Sequence, residues 1–182
     1  MTIVRHATVD DAPSIARVHV ETWRASYAGI LPDSVLVKMS ADRQRSSWAR
    51  VLNRLEGHQT VLVAEAASGV IGFGSCGSMR AGAGLAYRGE VFTLYVDTDH
   101  QGQGAGKRLL AALFRSLIEQ EMNSALLWVL AANPAQFFYQ AMGGNRVAER
   151  QELLWGATLP EIGYGWADLS RTVGAGGPCS VS

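Results

Sequence analysis

Cysteine is almost missing from this chain. Its two thiols, Cys76 and Cys179, make no disulfide framework and stand at no metal-binding spacing. The composition therefore fits a reducing compartment, and the cytoplasm is the expected location. An excess of charge is missing too. The 16 Lys and Arg residues balance the 16 Asp and Glu residues, so the net charge supplies no electrostatic footprint for nucleic acid or an acidic membrane. No apolar run approaches the length of a membrane span, and Met1 to His6 carries no signal-like core, so neither export nor a membrane partner is expected. The four histidines, His6, His19, His58 and His100, are scattered, and no metal site is expected from them. Internal repeats are absent, and low complexity is confined to Val173 to Ser182.

What is present is apolar residues, 48% of 182, enough for one filled core and too short a chain to suggest two. A single domain over 1–170 with a flexible tail over 171–182 is the expected organisation. A strand over Thr2 to Ala7 precedes Thr8, Asp10, Asp11 and Pro13, which together form a helix-start signal. Ala16, Val20, Trp23 and Tyr27 then recur at helical spacing, and a second helical region runs from Asp33 to about Leu55. Thr60 to Ala66 and Val70 to Cys76 read as a hairpin, followed by a loop from Met79 to Tyr87 that either adjoins substrate or simply connects. The remaining order is strand 90–97, helix 104–121, strand 125–131, helix 134–142 and strands near 145–154 and 157–167. Strands alternating with helices in this way predict an α/β (α+β) sheet of mixed strand direction.

Between the strand opened by Glu90 and the next helix lies Gln101-Gly102-Gln103-Gly104-Ala105-Gly106. Glycines allow a tight turn with close backbone approach, and a helix N-terminus adds partial positive charge, so the segment suits an anion, in particular a phosphate. A nucleotide P-loop needs Gly at position 101 and Ser or Thr at 108, where Gln101 and Arg108 stand; a dinucleotide fingerprint needs Gly at 107, where Lys107 stands. The remaining pattern, Gln-x-x-Gly-x-Gly after Glu-Val-Phe-Thr-Leu-Tyr-Val-Asp, resembles the acyl-CoA motif of the GNAT superfamily of N-acetyltransferases. Asn133-Pro134-Ala135-Gln136-Phe137-Phe138-Tyr139 after Leu127 to Leu130, Trp23-Arg24-Ala25-Ser26-Tyr27 upstream, and Tyr164-Gly165-Trp166 near the end extend the resemblance from about Ile3 to Leu169.

The resemblance implies a central, mostly antiparallel sheet flanked by helices and acetyl-CoA as cosubstrate. Main-chain groups of Leu94, Tyr95 and Val96 would pair with the pantetheine arm. The pyrophosphate would lie over Gln103, Gly104, Ala105 and Gly106, with Gln101 and Gly102 also in the cofactor-binding loop and Lys107 and Arg108 adding charge or sitting in solvent. Asn133 would bond the arm or cap a helix. Glu90 would take a proton from the acceptor amine, or else be a strand-end glutamate paired with Arg88 or a lysine. Tyr139 would meet the thioester sulfur as the acid, one ring of three facing the cofactor. Peptide-modifying branches often carry a second glutamate on the strand before the Asn motif, and Leu126 to Ala132 has none. Trp23 and Tyr27 are the candidate acceptor contacts, while Trp155, Tyr164 and Trp166 line a pocket or fill the core. Cys76 reads as a buried small hydrophobe and not an acyl carrier. The function expected is acetyl transfer to a primary amine in a small molecule or peptide, by direct attack in a ternary complex, with a homodimer as the assembly to test. A non-catalytic acyl-CoA sensor is the alternative. The balanced composition leaves the acceptor open, with Arg24, Arg43, Arg45 and Arg80 as candidate carboxylate ligands.

Overall fold

The structure is a computed structural model that describes residues 1–29, 39–54, 59–80, 86–154 and 156–174. In chain order its elements are β1 (Ile3–His6), α1 (Ala12–Ser26), α2 (Ala41–Asn53), β2 (Thr60–Ala66), β3 (Gly69–Ser78), β4 (Gly89–Val96), α3 (Ala105–Glu119), β5 (Ala125–Leu130), α4 (Ala135–Ala141), β6 (Asn145–Leu154), β7 (Ala157–Trp166) and α5 (Leu169–Gly174). The expected start of the second helix at Asp33, most of the loop after Met79, Trp155 and the tail beyond Gly174 lie outside the described residues. No helix among the described residues is long and apolar enough to cross a membrane.

The strands form one sheet in the order β1-β2-β3-β4-β5-β7-β6, antiparallel at each pairing except β4 with β5. That exception follows from connectivity. The chain leaves β4, runs back through α3 and re-enters as β5, and such a crossover delivers a parallel neighbour. The apolar stripe of α3, including Leu109, Leu113, Phe114 and Leu117, is wholly buried against one face of the sheet. On the other face, Ile15 and Val18 of α1 and Trp48 and Leu52 of α2 enclose Phe73 of β3. The last helix, α5, buries Leu169 against the α3 side.

Two local features open the sheet in its middle. β4 and β5 pair only over Gly89 to Val91 with Ala125 to Leu127 and have no register beyond. On its other side β4 carries a bulge: Thr93 faces Ser75 and Val91 faces Cys76, leaving Phe92 as the extra residue. A bulge bends the strand that carries it, and here it sits where β4 departs from β5. Past this point the sheet is split on one side and continuous on the other.

Gly144, in the turn between α4 and β6, shows how tightly the split is braced. A Cβ there would lie 2.7 Å from Cζ2 of Trp166 and 2.9 Å from the carbonyl of Tyr139. Gly144→Ala is expected to destabilise the fold by about 1 to 3 kcal/mol, the usual cost of overpacking a closed core. Urea denaturation checks this, and a change below about 0.5 kcal/mol would show the contact to be slack.

Candidate functional site

The divergence of β4 from β5 makes a cleft with two connected ends. One cavity of about 400 Å³ is bounded by α1, the β4 and β5 edges, Arg80, Arg150 and Glu161. A second of about 530 Å³ runs to Gly102, Gly104, Gly106, Lys107 and Phe138. Leu94, Val96, Gln101, Asn133 and Tyr139 line both, so the two join into one channel.

The strand edge within this channel has main-chain groups to offer. Asp97 N donates to the Ile71 carbonyl at 2.8 Å, so at Asp97 the backbone faces β3. Alternation along a strand then turns the N–H and C=O of Tyr95 toward β3 and those of Leu94 and Val96 toward the open side. Of the three expected residues, this geometry turns Leu94 and the Val96 N–H toward the open side, where a ligand strand could pair, and assigns Tyr95 to the sheet. The Val96 carbonyl receives the side-chain amide of Gln101 at 3.0 Å, which ties the glycine loop to the end of the strand.

In that loop Gly102 and Gly104 adopt φ of 74° and 84°, the left-handed conformation glycine tolerates best. Gly104 is the N-cap of α3, and the first-turn N–H groups of a helix have no intrahelical carbonyl to meet. Gln103 bonds back to the Asp99 carbonyl at 3.1 Å, and the Arg108 guanidinium reaches the Gln103 carbonyl at 3.4 Å. Lys107 lines the cavity and Arg108 braces the loop, so the two adjacent cations divide these tasks. Gly106 places its Cα face toward Phe138, with room for ordinary contact at 3.5 Å. Backbone donors, left-handed glycines and one cation at a helix N-terminus fit a pyrophosphate without a metal.

Asn133 is buried, with its side-chain oxygen accepting from Ala135 N at 2.9 Å and its amide donating to the Tyr27 hydroxyl at 3.4 Å. The capping alternative is thus the one its hydrogen bonds display, and Asn133 still lines the channel. In the aromatic run, Phe137 is 65% exposed, while Phe138 and Tyr139 both line the cavity, so two of the three rings face it where one was expected. Burial raises the pKa of the Tyr139 hydroxyl, keeping it protonated. Trp23 and Tyr27 meet edge to face at 4.6 Å on the α1 wall, and both line the cavity. Tyr164 and Trp166 are core residues.

Glu90 stands at the closed end of the cleft, 2% exposed. Its partner is Arg80 and not Arg88, whose guanidinium instead reaches the Glu121 carbonyl at 3.4 Å. Arg80 N donates to Oε2 at 3.1 Å, Nε lies 3.2 and 3.1 Å from Oε1 and Oε2, and Nη2 also bonds Oε1. Sequence patterns did not mark the rest of this wall. Glu161 of β7 pairs in register with Leu130, so β7 supplies a carboxylate beside the acid-free strand β5. Arg150 bonds Glu161 at 2.8 Å, lies 3.6 Å from Glu152 and stacks 4.2 Å above the Trp128 ring. These residues come from three strands, and only the β5-β7-β6 register brings them together.

His19 is another residue the sequence did not single out. It lines the cavity, stacks on Tyr95 at 5.3 Å and accepts a hydrogen bond at Nδ1 from Trp48 Nε1 at 3.1 Å. Its proton therefore belongs on Nε2. Burial lowers its pKa from 6.5 to about 4. The unfolded chain consequently binds the extra proton between those values, so stability falls as pH drops from 6.5 toward 4, by up to about 3 kcal/mol. Denaturation midpoints at pH 4.5 and 7 should differ less in His19→Gln than in wild type; equal differences would remove His19 from the account.

Among the described residues no group of three His, Cys, Asp or Glu could hold a metal. Cys76 is fully buried, its Sγ lies 3.7 Å from the Leu113 carbonyl, and burial pushes its thiol up to about 12, so it is no nucleophile at neutral pH.

Comparison with known proteins agrees with this geometry. Residues 57–143 match the acetyltransferase (GNAT) domain. The uncharacterized N-acetyltransferase YuaI of Bacillus subtilis (strain 168) is 37% identical over 171 residues, covering 93% of this chain and 95% of that protein. In fold, the chain is similar to PaiA N-acetyltransferase of Thermoplasma acidophilum, solved with coenzyme A, at a TM-score of 0.64 and 20% identity over 89% of this chain and 98% of that one. It is likewise similar to the putative acetyltransferase yncA of Salmonella typhimurium, solved with acetyl-CoA, at a TM-score of 0.68 and 22% identity over 93% and 94%. With a split sheet, a glycine loop capping α3 and a relative alike over nearly its whole length, the chain belongs to the GNAT N-acetyltransferases, whose cosubstrate is acetyl-CoA.

Proposed function

We propose that this protein moves an acetyl group to a primary amine by direct attack within a ternary complex, with Glu90 as base and Tyr139 as acid. The observation that carries the reading is the split between β4 and β5, which places a buried carboxylate at one end of a channel and an anion cradle at the other.

Bound acetyl-CoA supplies a thioester carbonyl and a thiolate leaving group. Leu94 offers its main-chain N–H and C=O, and Val96 its N–H, to the cofactor's arm, as an edge strand does to an added strand. Gln101 to Gly106 and Lys107 offer donors and charge to its phosphates. An alkyl amine has a pKa near 10.4, so at pH 7 about one molecule in a few thousand is neutral and able to attack. A carboxylate positioned to take that proton therefore lowers the barrier. That Tyr139 is protonated and lines both parts of the channel supports its role as the acid that gives a proton to the thiolate. Tyr139 thus starts in the protonated state that an acid requires.

Initial rates with acetyl-CoA and a panel of amines, read by thiol release, test this. Intersecting double-reciprocal lines and a mass gain of one acetyl group on the amine are expected. Parallel lines, or an acetylated enzyme seen by intact mass, would exclude direct attack.

A further inference from the structure

At the acceptor end of the channel, one ion pair is unequally buried. The Glu90 side chain is 3% exposed and that of Arg80 63%. The guanidinium thus lies over the carboxylate on the solvent side, 5.1 Å from the Phe92 ring. Arg80 uses Nε and Nη2 on Glu90, and its Nη1 makes no bond among the described residues. Arg150, the other guanidinium here, is already shared between Glu161, Glu152 and the face of Trp128. Arg80 therefore has spare capacity for an anion, and Arg150 has little. Glu90, Glu152 and Glu161 against Arg80 and Arg150 leave one negative charge in excess around the cavity, which suits an incoming ammonium.

We infer that the acceptor is a short amino carboxylate, its carboxylate held by Arg80 and its amine delivered to Glu90. The inference rests on the acetyl-transfer reading and names the substrate class for that same site. An amine reaching Glu90 has to displace part of the Arg80 guanidinium from it. A plain alkyl ammonium would leave that guanidinium without its anion. An amino carboxylate replaces the single internal ion pair with two, so both charges of the pair stay matched. The partner atoms of the pair are about 3 Å apart, so amine and carboxylate must sit close together on the acceptor, separated by one or two carbons. Arg80 N, held by the backbone, continues to orient Oε2 of Glu90 after the side chain has moved. Arg80 is in this account a specificity residue, and the exchange makes Glu90 available only when the correct acceptor is present.

The test is a matched set of acceptors with acetyl-CoA: L-amino acids, the corresponding L-amino acid amides, n-propylamine and spermidine. The best amino acid should exceed its own amide in kcat/KM by about 30-fold or more. Arg80→Gln should bring that ratio close to one by raising the KM for the amino acid, with the KM for acetyl-CoA unchanged, and Arg80→Lys should keep part of the preference. A residue that only braces Glu90 would instead lower both acceptors equally. An amide, propylamine or spermidine preferred by wild type, or an equal fall on acid and amide in Arg80→Gln, would overturn the inference with the acetyl-transfer reading intact. Acetyl-CoA binding with no acetylated product from any amine would overturn both.

Discussion

Replacing Glu90 by Gln should lower kcat at pH 7 by about 10²- to 10³-fold, with the KM for acetyl-CoA little changed. Gln is close in shape, and its side-chain oxygen can still accept from Arg80, so the 2% exposed position keeps its packing and part of its hydrogen bonding. What it cannot do is take a proton. The deficit should shrink as pH rises, because more of the amine is then already neutral and needs no base. Rates measured from pH 6.5 to 9.5 check both points. Near-wild-type kcat at pH 7 in a folded Glu90→Gln protein would reduce Glu90 to a strand-end partner of Arg80, and the base would have to be sought at Glu161 or Glu152 on the facing wall.

Gly104→Asp should weaken acetyl-CoA binding by about 100-fold or more. Two costs combine. A side chain at φ 84° is strained, though Asp is among the residues that bear it best. A Cβ there would meet only the Arg108 guanidinium, at 3.5 Å, so the fold should survive. The larger cost is a carboxylate at the N-cap of α3, where a pyrophosphate should be received. Gly104→Asn separates the two, since Asn tolerates the same backbone and carries no charge. Binding close to wild type in Gly104→Asn and lost in Gly104→Asp would locate the phosphates at this helix end. Equal, small effects in both would place them elsewhere.

The strands and helices from β2 to β7 were legible because each has a strong local signal. The alternation of β4, the apolar stripe of α3 and the glycines between them needed no tertiary information. The glycine loop was legible for the same reason, as an element whose chemistry resides in its backbone. The wall around Glu90 was not, beyond Arg80 as one of four candidate carboxylate ligands. Arg80, Trp128, Arg150 and Glu161 sit in four unrelated stretches of sequence, and they meet only through the β5-β7-β6 register and the return of β3 beside β4. Arg88 is two residues from Glu90 and looked like its partner, but it lies before β4 with its guanidinium on the Glu121 carbonyl, and Arg80, just past the end of β3, takes the carboxylate instead. Tyr95 shows the same limit in the main chain. Its motif position is right, yet which neighbours turn toward the open edge is decided by the pairing of Asp97 with Ile71. His19 fell on an apolar helix face, and only Trp48, from another helix, reveals which nitrogen holds its proton.

The most direct test of the account is calorimetric titration of the full chain with acetyl-CoA, and separately with ATP and NAD. The account predicts one acetyl-CoA site per chain with micromolar or tighter affinity, and no comparable heat from the two nucleotides. No binding of acetyl-CoA, or stronger binding of ATP or NAD, would contradict it, because the split between β4 and β5 would then not be the cofactor channel from which every assigned role follows.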